Sequence, residues 1–466
     1  MKKIGLFCTV LLSLVVISGC GGGGETKESA KSSEPVELKT PEKFGVKLEN
    51  LDASGTLDGQ YKGKKITVAT RTGDHETALK EAAKYFEAAS GAKVEVQSFP
   101  AGNDEEKIQL DLSTSHTFDA VLMPVANIHS YAASGYLKKL DDYKKVADPE
   151  LDTDDFIPSI LDLYGKYDGK LYAFPYKPDT QMLFYRKDIF EDEKVKTAYK
   201  EKTGKDLAVP TTNEEMIEVA KYFTKSKNAD SPIDYGYISM GSTTNSRAIW
   251  MNREGEQTVI SKDNQATVDN DGTKKAMETM MELKNYTPKE WTQLGWDEAN
   301  AMFVEGKALM MEQWPGLINS INDDKSKIKD KVGFAVTPGS SPVLGGWSIA
   351  VTNHSEEDEL AYKFVEFVTS KDAELLKVEH TMDPVRQSNY ERGEVMDSNS
   401  MYPVLLDSLT KGKQLVDADV PYISAQLNDI LEDETQNLLN GKQDIDKTTA
   451  NMQKKLKKEI SSAEIE

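Results

Sequence analysis

The sequence predicts an α/β protein of two lobes joined by a hinge. Two observations carry this. From Lys64 to Pro124 short strand-like runs alternate with segments of helical periodicity, the order that builds a parallel sheet covered on both faces. Further on, Asp168–Phe190 (DGKLYAFPYKPDTQMLFYRKDIF) holds two apolar runs, Leu171–Phe174 and Met182–Tyr185, with Pro175 and Pro178 between them to stop a helix. Two buried strands joined by such a segment fit a chain passing from one sheet to another. The junction of two lobes is where a ligand would sit.

The chain begins with Lys2 and Lys3, the apolar run Ile4–Ile17 and then Ser18-Gly19-Cys20, the pattern of a secretory signal. That run is too short to span a bilayer comfortably as a stable helix. Val16–Cys20 also resembles the lipobox of bacterial lipoproteins, which implies removal of residues 1–19 as a signal peptide and lipid attachment at Cys20. Gly21–Gly24 and the Glu/Lys/Ser-rich stretch to Pro41 cannot bury a core, so residues 20–60 read as a lipidated flexible tether. Cys8 leaves with the signal. The mature chain then keeps no other cysteine, which excludes a disulfide framework despite an address outside the cytoplasm.

Of 466 residues, 78 are acidic and 57 are Lys or Arg, a formal net charge of −21. Such a surface repels a polyanion over most of its area, so nucleic acid is not an expected partner. A content of 38% hydrophobic and 29% charged residues is that of a soluble globular protein, and no second long apolar run suggests a membrane span. The five histidines are scattered without an H-x-x-x-H pair, and no G-x-S-x-G elbow occurs. Metal hydrolysis and serine catalysis therefore lack support, and the expectation is a binding protein with no cofactor and no metal.

In order, Lys64–Thr70 reads as a strand with a turn-like Arg71–His75 behind it. Leu79, Ala82, Ala83, Phe86 and Ala89 then recur at helical spacing until Ser90-Gly91. A second strand starts at Val94, Glu105–Thr114 is helical, and Phe118–Met123 is a third strand closed by Pro124. In such sheets the loops past the carboxyl ends of the strands carry the ligand, which selects Arg71–His75 and Pro124–Asn127. Beyond the hinge, Thr212–Glu215 is a capping box opening a helix that turns Met216, Ile217, Ala220 and Phe223 inward. Thr273–Lys284 and Trp296–Glu305 read as helices, Ala308–Met311 and Gly333–Val336 as strands. A breaker-rich passage, Thr337–Pro342, precedes the strand Gly345–Val351. Ser355–Asp358 then caps a helix with Leu360, Ala361, Phe364, Val365 and Val368 on one face. From Tyr402 onward the pattern is mostly helical, ending in a stretch with Lys454, Lys455, Lys457 and Lys458 on a solvated face.

Four segments carry a resemblance when taken together: Phe118–Leu140 (FDAVLMPVANIHSYAASGYLKKL), Asp168–Phe190, Glu305–Leu317 (EGKALMMEQWPGL) and Gly345–Leu375, which opens with GGWSIAVTNHS. In order and spacing the chain resembles the extracellular solute-binding lipoproteins of ABC importers, in the family 1 group of sugar-binding members related to maltose-binding protein. The resemblance implies a periplasmic-binding-protein-like fold of two lobes, each a mostly parallel sheet flanked by helices. Lobe 1 would take 64–179 and 342–383, and lobe 2 would take 182–337 and 388–460. Three crossings are implied, in Asp168–Phe190, at Thr337–Pro342 and at Met382–Arg386. A ligand would lie between the lobes and be enclosed by hinge closure, after which the closed form docks on the importer's permease subunits. The chain is expected as a monomer on the extracytoplasmic face of a bacterial membrane, attached through its N-terminal lipid alone.

Sugars present apolar C–H faces and a rim of hydroxyls, so their sites combine aromatic platforms with planar polar side chains. Trp314 falls where the family stacks a ring on a sugar, and Trp347 lies beside the second crossing. Asp179 stands in the first crossing, where the family places a carboxylate for ligand hydroxyls, and Tyr176 lines the cleft from the same passage. Arg71 and Asp74 occupy the loop after the first strand, Asn127 the loop after the third. Trp250 and Arg386 are weaker candidates. Plainer roles stand beside each: core or hinge packing for the tryptophans, a turn for Asp179, capping for Asp74 and Asn127, and a carboxylate partner for Arg386. Met123-Pro124 and Asn127 depart from the maltose-binding pattern, which offers an aromatic and charged residues there, so maltose itself is not implied. Two alternatives stay open. One is a non-sugar solute such as a peptide, polyamine or organic anion; the other is a surface-anchored glycoside hydrolase, whose two spaced carboxylates no local signature singles out.

Overall fold

The computed structural model describes residues 59–463 apart from 102, 149–150, 243–244, 254–258, 262–263, 340 and 415–422, together with positions 38, 44, 46, 51 and 57. Cys20, the signal and most of the tether lie outside the described residues. The unit Lys39–Glu466 contains a six-stranded and a four-stranded sheet. Their strands, in chain order, are β1 (Lys65–Arg71), β2 (Lys93–Phe99), β3 (Ala120–Pro124), β4 (Ala173–Thr180), β5 (Met182–Arg186), β6 (Tyr235–Ile238), β7 (Ala308–Gln313), β8 (Val332–Val336), β9 (Val343–Val351) and β10 (Lys413–Gln414).

The first sheet forms as the alternation of its residues dictates. β1 pairs in parallel with β2, from Lys65↔Lys93 to Arg71↔Phe99, and with β3 at Val68↔Ala120. Between β1 and β2 runs α1 (Asp74–Ser90), which buries Leu79, Ala82, Ala83 and Phe86 and ends at Gly91 in the left-handed conformation. The helix α2 (Asp104–Leu110) connects β2 toward β3 and has Asp104 and Glu105 in its first turn. β9 then lies antiparallel to β3 and also to β4.

The hinge is tighter than its prolines suggest. Pro175 and Pro178 lie inside β4, opposite Ser348 and Gly346 of β9, with an irregularity between Trp347 and Ser348. β4 pairs with β9 alone in this sheet, so a proline's missing N–H costs nothing on the open side. Only Gln181 separates β4 from β5, and those two strands lie in different sheets. The chain changes sheet within one residue.

The second sheet, ordered β8-β5-β7-β6, corrects one expectation, since it is mixed rather than mostly parallel. β5 is antiparallel to both β8 and β7, and only β6 and β7 run parallel. The reason is geometric. β5 leaves the hinge and runs outward, whereas β7 ends beside it at Trp314 and β8 ends at the return passage Thr337–Pro342. The helix α3 (Asn213–Tyr222) opens with the capping box of Thr212 and Glu215, and α4 (Ser246–Met251) follows β6.

The third crossing is also corrected. Arg386 forms a bridge with Phe156, Ile157 N donates to Val385 O at 3.1 Å, and Phe156 stacks on Phe174 of β4. Asn389 and Arg392 still bond to Lys371 O and Asp372, so the chain remains with the first lobe past Met382–Arg386; Tyr402–Lys411 then packs against strands of both sheets before β10 pairs beside Val343 and Leu344. The helix cap expected at Ser355–Asp358 does not form: Ser355 Oγ donates to Asp119 Oδ1 at 2.6 Å, and the helix starts at Asp358 without a side-chain cap.

Candidate functional site

Strand alternation puts Lys177 and Asp179 on one face of β4 at the hinge. Lys177 Nζ donates to Asp179 Oδ2 at 2.9 Å, and both side chains are buried. Burial alone would lower the Lys177 ammonium; the carboxylates of Asp179, Asp383 and Asp74 hold it raised instead. Burial pushes the Asp383 carboxyl up to about 7, with Lys177 pulling it back and Asp179 adding repulsion. Burial likewise pushes Asp179 up, against the pull of Lys177. Among the described residues, Asp179 Oδ1 and Asp383 Oδ1 have no hydrogen-bond partner.

From the first sheet, the β1–α1 loop brings Arg71, Asp74 and His75 to this floor. Arg71 Nε donates to Asp104 Oδ2 at 2.8 Å, and its guanidinium lies 4.5 Å from the centre of the Trp347 ring. The His75 ring lies 4.3 Å from the same indole. Burial, then Lys177 and Arg71, hold His75 well below its ordinary value, so the imidazole is neutral, and its Nε2 has no partner among the described residues. Asn127 joins this edge through Glu105, donating to its carboxylate at 3.1 Å.

From the second sheet comes Trp314, just past β7. Its indole Nε1 donates to Asn245 Oδ1 at 3.3 Å. Its ring lies against Gly345, where a Cβ would stand 2.9 Å from Cζ3, and Gly345 pairs with Asp179. A second contact spans the cleft: Asn319 Nδ2 donates to Asp74 Oδ2 at 3.0 Å. An unpartnered buried polar atom costs about 1–3 kcal/mol, and His75 Nε2, Asp179 Oδ1, Asp383 Oδ1 and Asn319 Oδ1 all stand so among the described residues.

The structure therefore brings together Arg71, Asp74, Asp179, Trp314 and Trp347, with Asn127 at the rim. Trp347 is not an open platform, because Arg71 and His75 cover its buried ring; it positions them. Tyr176 is corrected: alternation turns it to the other face of β4, where it is buried and Lys377 lies 4.8 Å from its ring. Trp250 is corrected too, being fully buried with Nε1 donating to Thr435 Oγ1 at 2.9 Å. Arg386 is a packing residue. Its buried guanidinium donates to Thr369 O and Asp152 O, each at 2.7 Å, and lies 4.2 Å from the Phe156 ring centre. Lys177, Asp383 and Asn319 were missed by the sequence reading. Lys177, two residues before Asp179 in a strand-like run, was detectable from alternation; Asp383 and Asn319 arrive through long-range packing and carry no local signal.

A family model described as bacterial extracellular solute-binding protein matches residues 81–388. The chain belongs to the bacterial extracellular solute-binding proteins. Among curated relatives, it is 26% identical over 333 residues to a probable amino-acid ABC transporter periplasmic-binding protein of Sinorhizobium fredii, covering 69% of this chain and 72% of that one. It is 27% identical over 208 residues to a maltooligosaccharide ABC transporter solute-binding lipoprotein of Streptococcus pneumoniae, 44% of this chain and 40% of the relative. Two solved structures share the fold, each with a TM-score of 0.71 over 85% of this chain and 99% of theirs. One is a solute-binding protein from Agrobacterium radiobacter in complex with ribitol (24% identical), the other a maltose-bound protein of T. maritima (22%). Membership assigns this solute-binding protein to transport and to the extracytoplasmic side of the membrane.

Proposed function

We propose that this solute-binding protein captures a carbohydrate between its two lobes, closes about the β4–β5 hinge, and delivers the sugar to the permease subunits of an ABC importer. In this reading one lobe comprises 64–179 with 342–414, the other 182–337 with 423–460. The protein acts as a monomer held to the membrane by lipid on Cys20. The observation that carries the proposal is the meeting of Trp314 with Asp179 across Gly345: an aromatic ring for a sugar's C–H face beside a carboxylate oxygen free to accept from its hydroxyls. The acidic groups serve as acceptors and hold charge, with no hydrolytic role.

A second reading draws on a specific feature. Arg71 and Lys177 beside Asp179 and Asp383 offer charges of both signs, which an amino acid's two termini would match, and one relative is named for amino acids. A thermal-shift panel of sugars, sugar alcohols, amino acids, polyamines and organic anions separates the two. A ligand at a hundredfold its Kd stabilises the fold by about 2.7 kcal/mol, and the expectation is that a carbohydrate alone does so. A shift with amino acids and none with carbohydrates would replace the first reading by the second.

A further inference from the structure

Away from the cleft, a cavity of about 310 Å³ is lined by Lys202, Lys205, Lys221 and Lys227, with Tyr199 and Tyr222 as its aromatic wall and Glu218 as the one acid lining it among the described residues. In a chain of 78 acidic and 57 basic residues, four lysines against one glutamate reverse the prevailing charge. The cavity lies where the helix Glu193–Thr203 meets α3, which packs on β6 of the second sheet. Gly204, left-handed at φ 74, ends the first helix and turns the chain so that Lys202 and Lys205 both reach the cavity. α3 supplies Lys221 and Tyr222 from its last turn. Its other end is at the return passage, where Asn213 lies against Gly339. A helix of 10 residues spans about 15 Å, so the cavity stands roughly that far from the passage and shares no residue with the cleft.

Favourable charge at helix C-termini accounts for Lys202 and Lys221 one at a time, but not for Lys205 and Lys227 meeting them at one cavity. Two of the four ammonium groups are matched within the protein. Lys205 pairs with Glu218 at 2.6 Å, and Lys202 donates to Asn228 Oδ1 at 2.6 Å with Asp230 at 3.7 Å. Lys221 and Lys227 have no ion pair or side-chain hydrogen bond among the described residues. Asn228 is buried and its Nδ2 donates to Tyr222 O at 3.0 Å, so it holds Lys202 from a fixed position. The wall is set as well, with Tyr199 edge-on to Tyr222 at 4.7 Å and stacked on Phe223. Ammonium groups arriving from several directions suit a phosphate, whose oxygens spread over a tetrahedron, better than a planar carboxylate. The volume leaves room for a short organic body against the tyrosines.

We propose that this cavity is a second binding site, separate from the cleft, for a phosphate ester, either a free one or the headgroup of an anionic lipid. Such a site is independent of the carbohydrate reading above. The test is phosphorus NMR on the full chain in a neutral detergent, titrated at constant ionic strength with inorganic phosphate, glycerol 3-phosphate and phosphatidylglycerol. At least one of the two esters should shift saturably. Saturation by glycerol 3-phosphate identifies a free ligand, and a response to phosphatidylglycerol without one to glycerol 3-phosphate identifies a headgroup. Replacing Lys221 and Lys227 together by Gln should weaken that binding roughly fivefold, whereas Glu218→Gln, which removes a competing carboxylate and releases Lys205, should tighten it about twofold. A response to neither ester overturns the site, and so does a response that the double lysine variant leaves unchanged. Lys221, Lys227 and Glu218 are exposed, so these substitutions should leave the melting temperature of the free protein unchanged, and the melting curve checks this.

Discussion

Lys177 faces carboxylates of Asp179, Asp383 and Asp74 at the hinge, and this crowding makes the site's charge depend on pH. Asp383 is the group with the clearest consequence, its carboxyl standing at about 7 in the folded chain against 3.8 ordinarily. Between those values the folded chain keeps a proton that the unfolded chain has lost. Stability contributed through Asp383 therefore falls as pH rises from about 4 to about 7, and changes no further above that. Asp383→Asn should remove this slope. In urea denaturation the variant should gain on the native protein at about pH 8 by an amount on the order of a kcal/mol or more, and lose that gain at about pH 4. Parallel stability–pH curves for the two proteins would show that Asp383 is charged in the folded state like any exposed aspartate. A further residue-scale effect lies outside the site. Arg253 and Glu312 pair at 2.6 Å in the second lobe's core, with Tyr237 also donating to Glu312. Arg253→Leu leaves a buried carboxylate uncompensated and should cost about 3–5 kcal/mol in the same denaturation measurement, with ligand affinity of the remaining folded protein unchanged.

At the scale of elements, most local signals match the structure, the cap expected at Ser355–Asp358 being an exception. The β1–α1–β2–α2–β3 order followed from alternation and helical spacing, and Gly91 and Thr212 marked helix ends because their chemistry acts within a few residues. What depended on distant partners was not legible. Pro175 and Pro178 looked like a break because a proline's tolerance in a strand depends on whether the strand has a neighbour on that side, which only the sheet order reveals. The antiparallel neighbours of β5 depended on where the chain re-enters the second sheet. Of the candidate site, aromatic and charged residues at strand ends were identifiable. Their burial was not, so Tyr176, Trp250 and Arg386 were chosen for side-chain type and prove to be packed away from the cleft. The hinge pair β4–β9 carries its own prediction. Gly346 has φ 125, and a Cβ there would lie 2.4 Å from Lys177 O. Gly346→Ala should therefore destabilise the protein by roughly 1–3 kcal/mol through backbone strain and contact with β4. A melting temperature equal to that of the native chain would mean that the two hinge strands are not held this closely.

For the whole molecule, the proposed function turns on two lobes whose cleft contacts include one hydrogen bond, Asn319 to Asp74, and the seat of Trp314 on Gly345. A ligand that satisfies His75, Asp179, Asp383 and Asn319 on closing would bias the equilibrium between open and closed forms. The proposed function requires that closure to occur on a carbohydrate. Small-angle X-ray scattering follows it in the protein titrated with whichever sugar raises its melting temperature. The predicted result is a saturable decrease in radius of gyration whose midpoint matches the Kd from calorimetry. A radius of gyration that stays constant from ligand-free protein to saturation would contradict it.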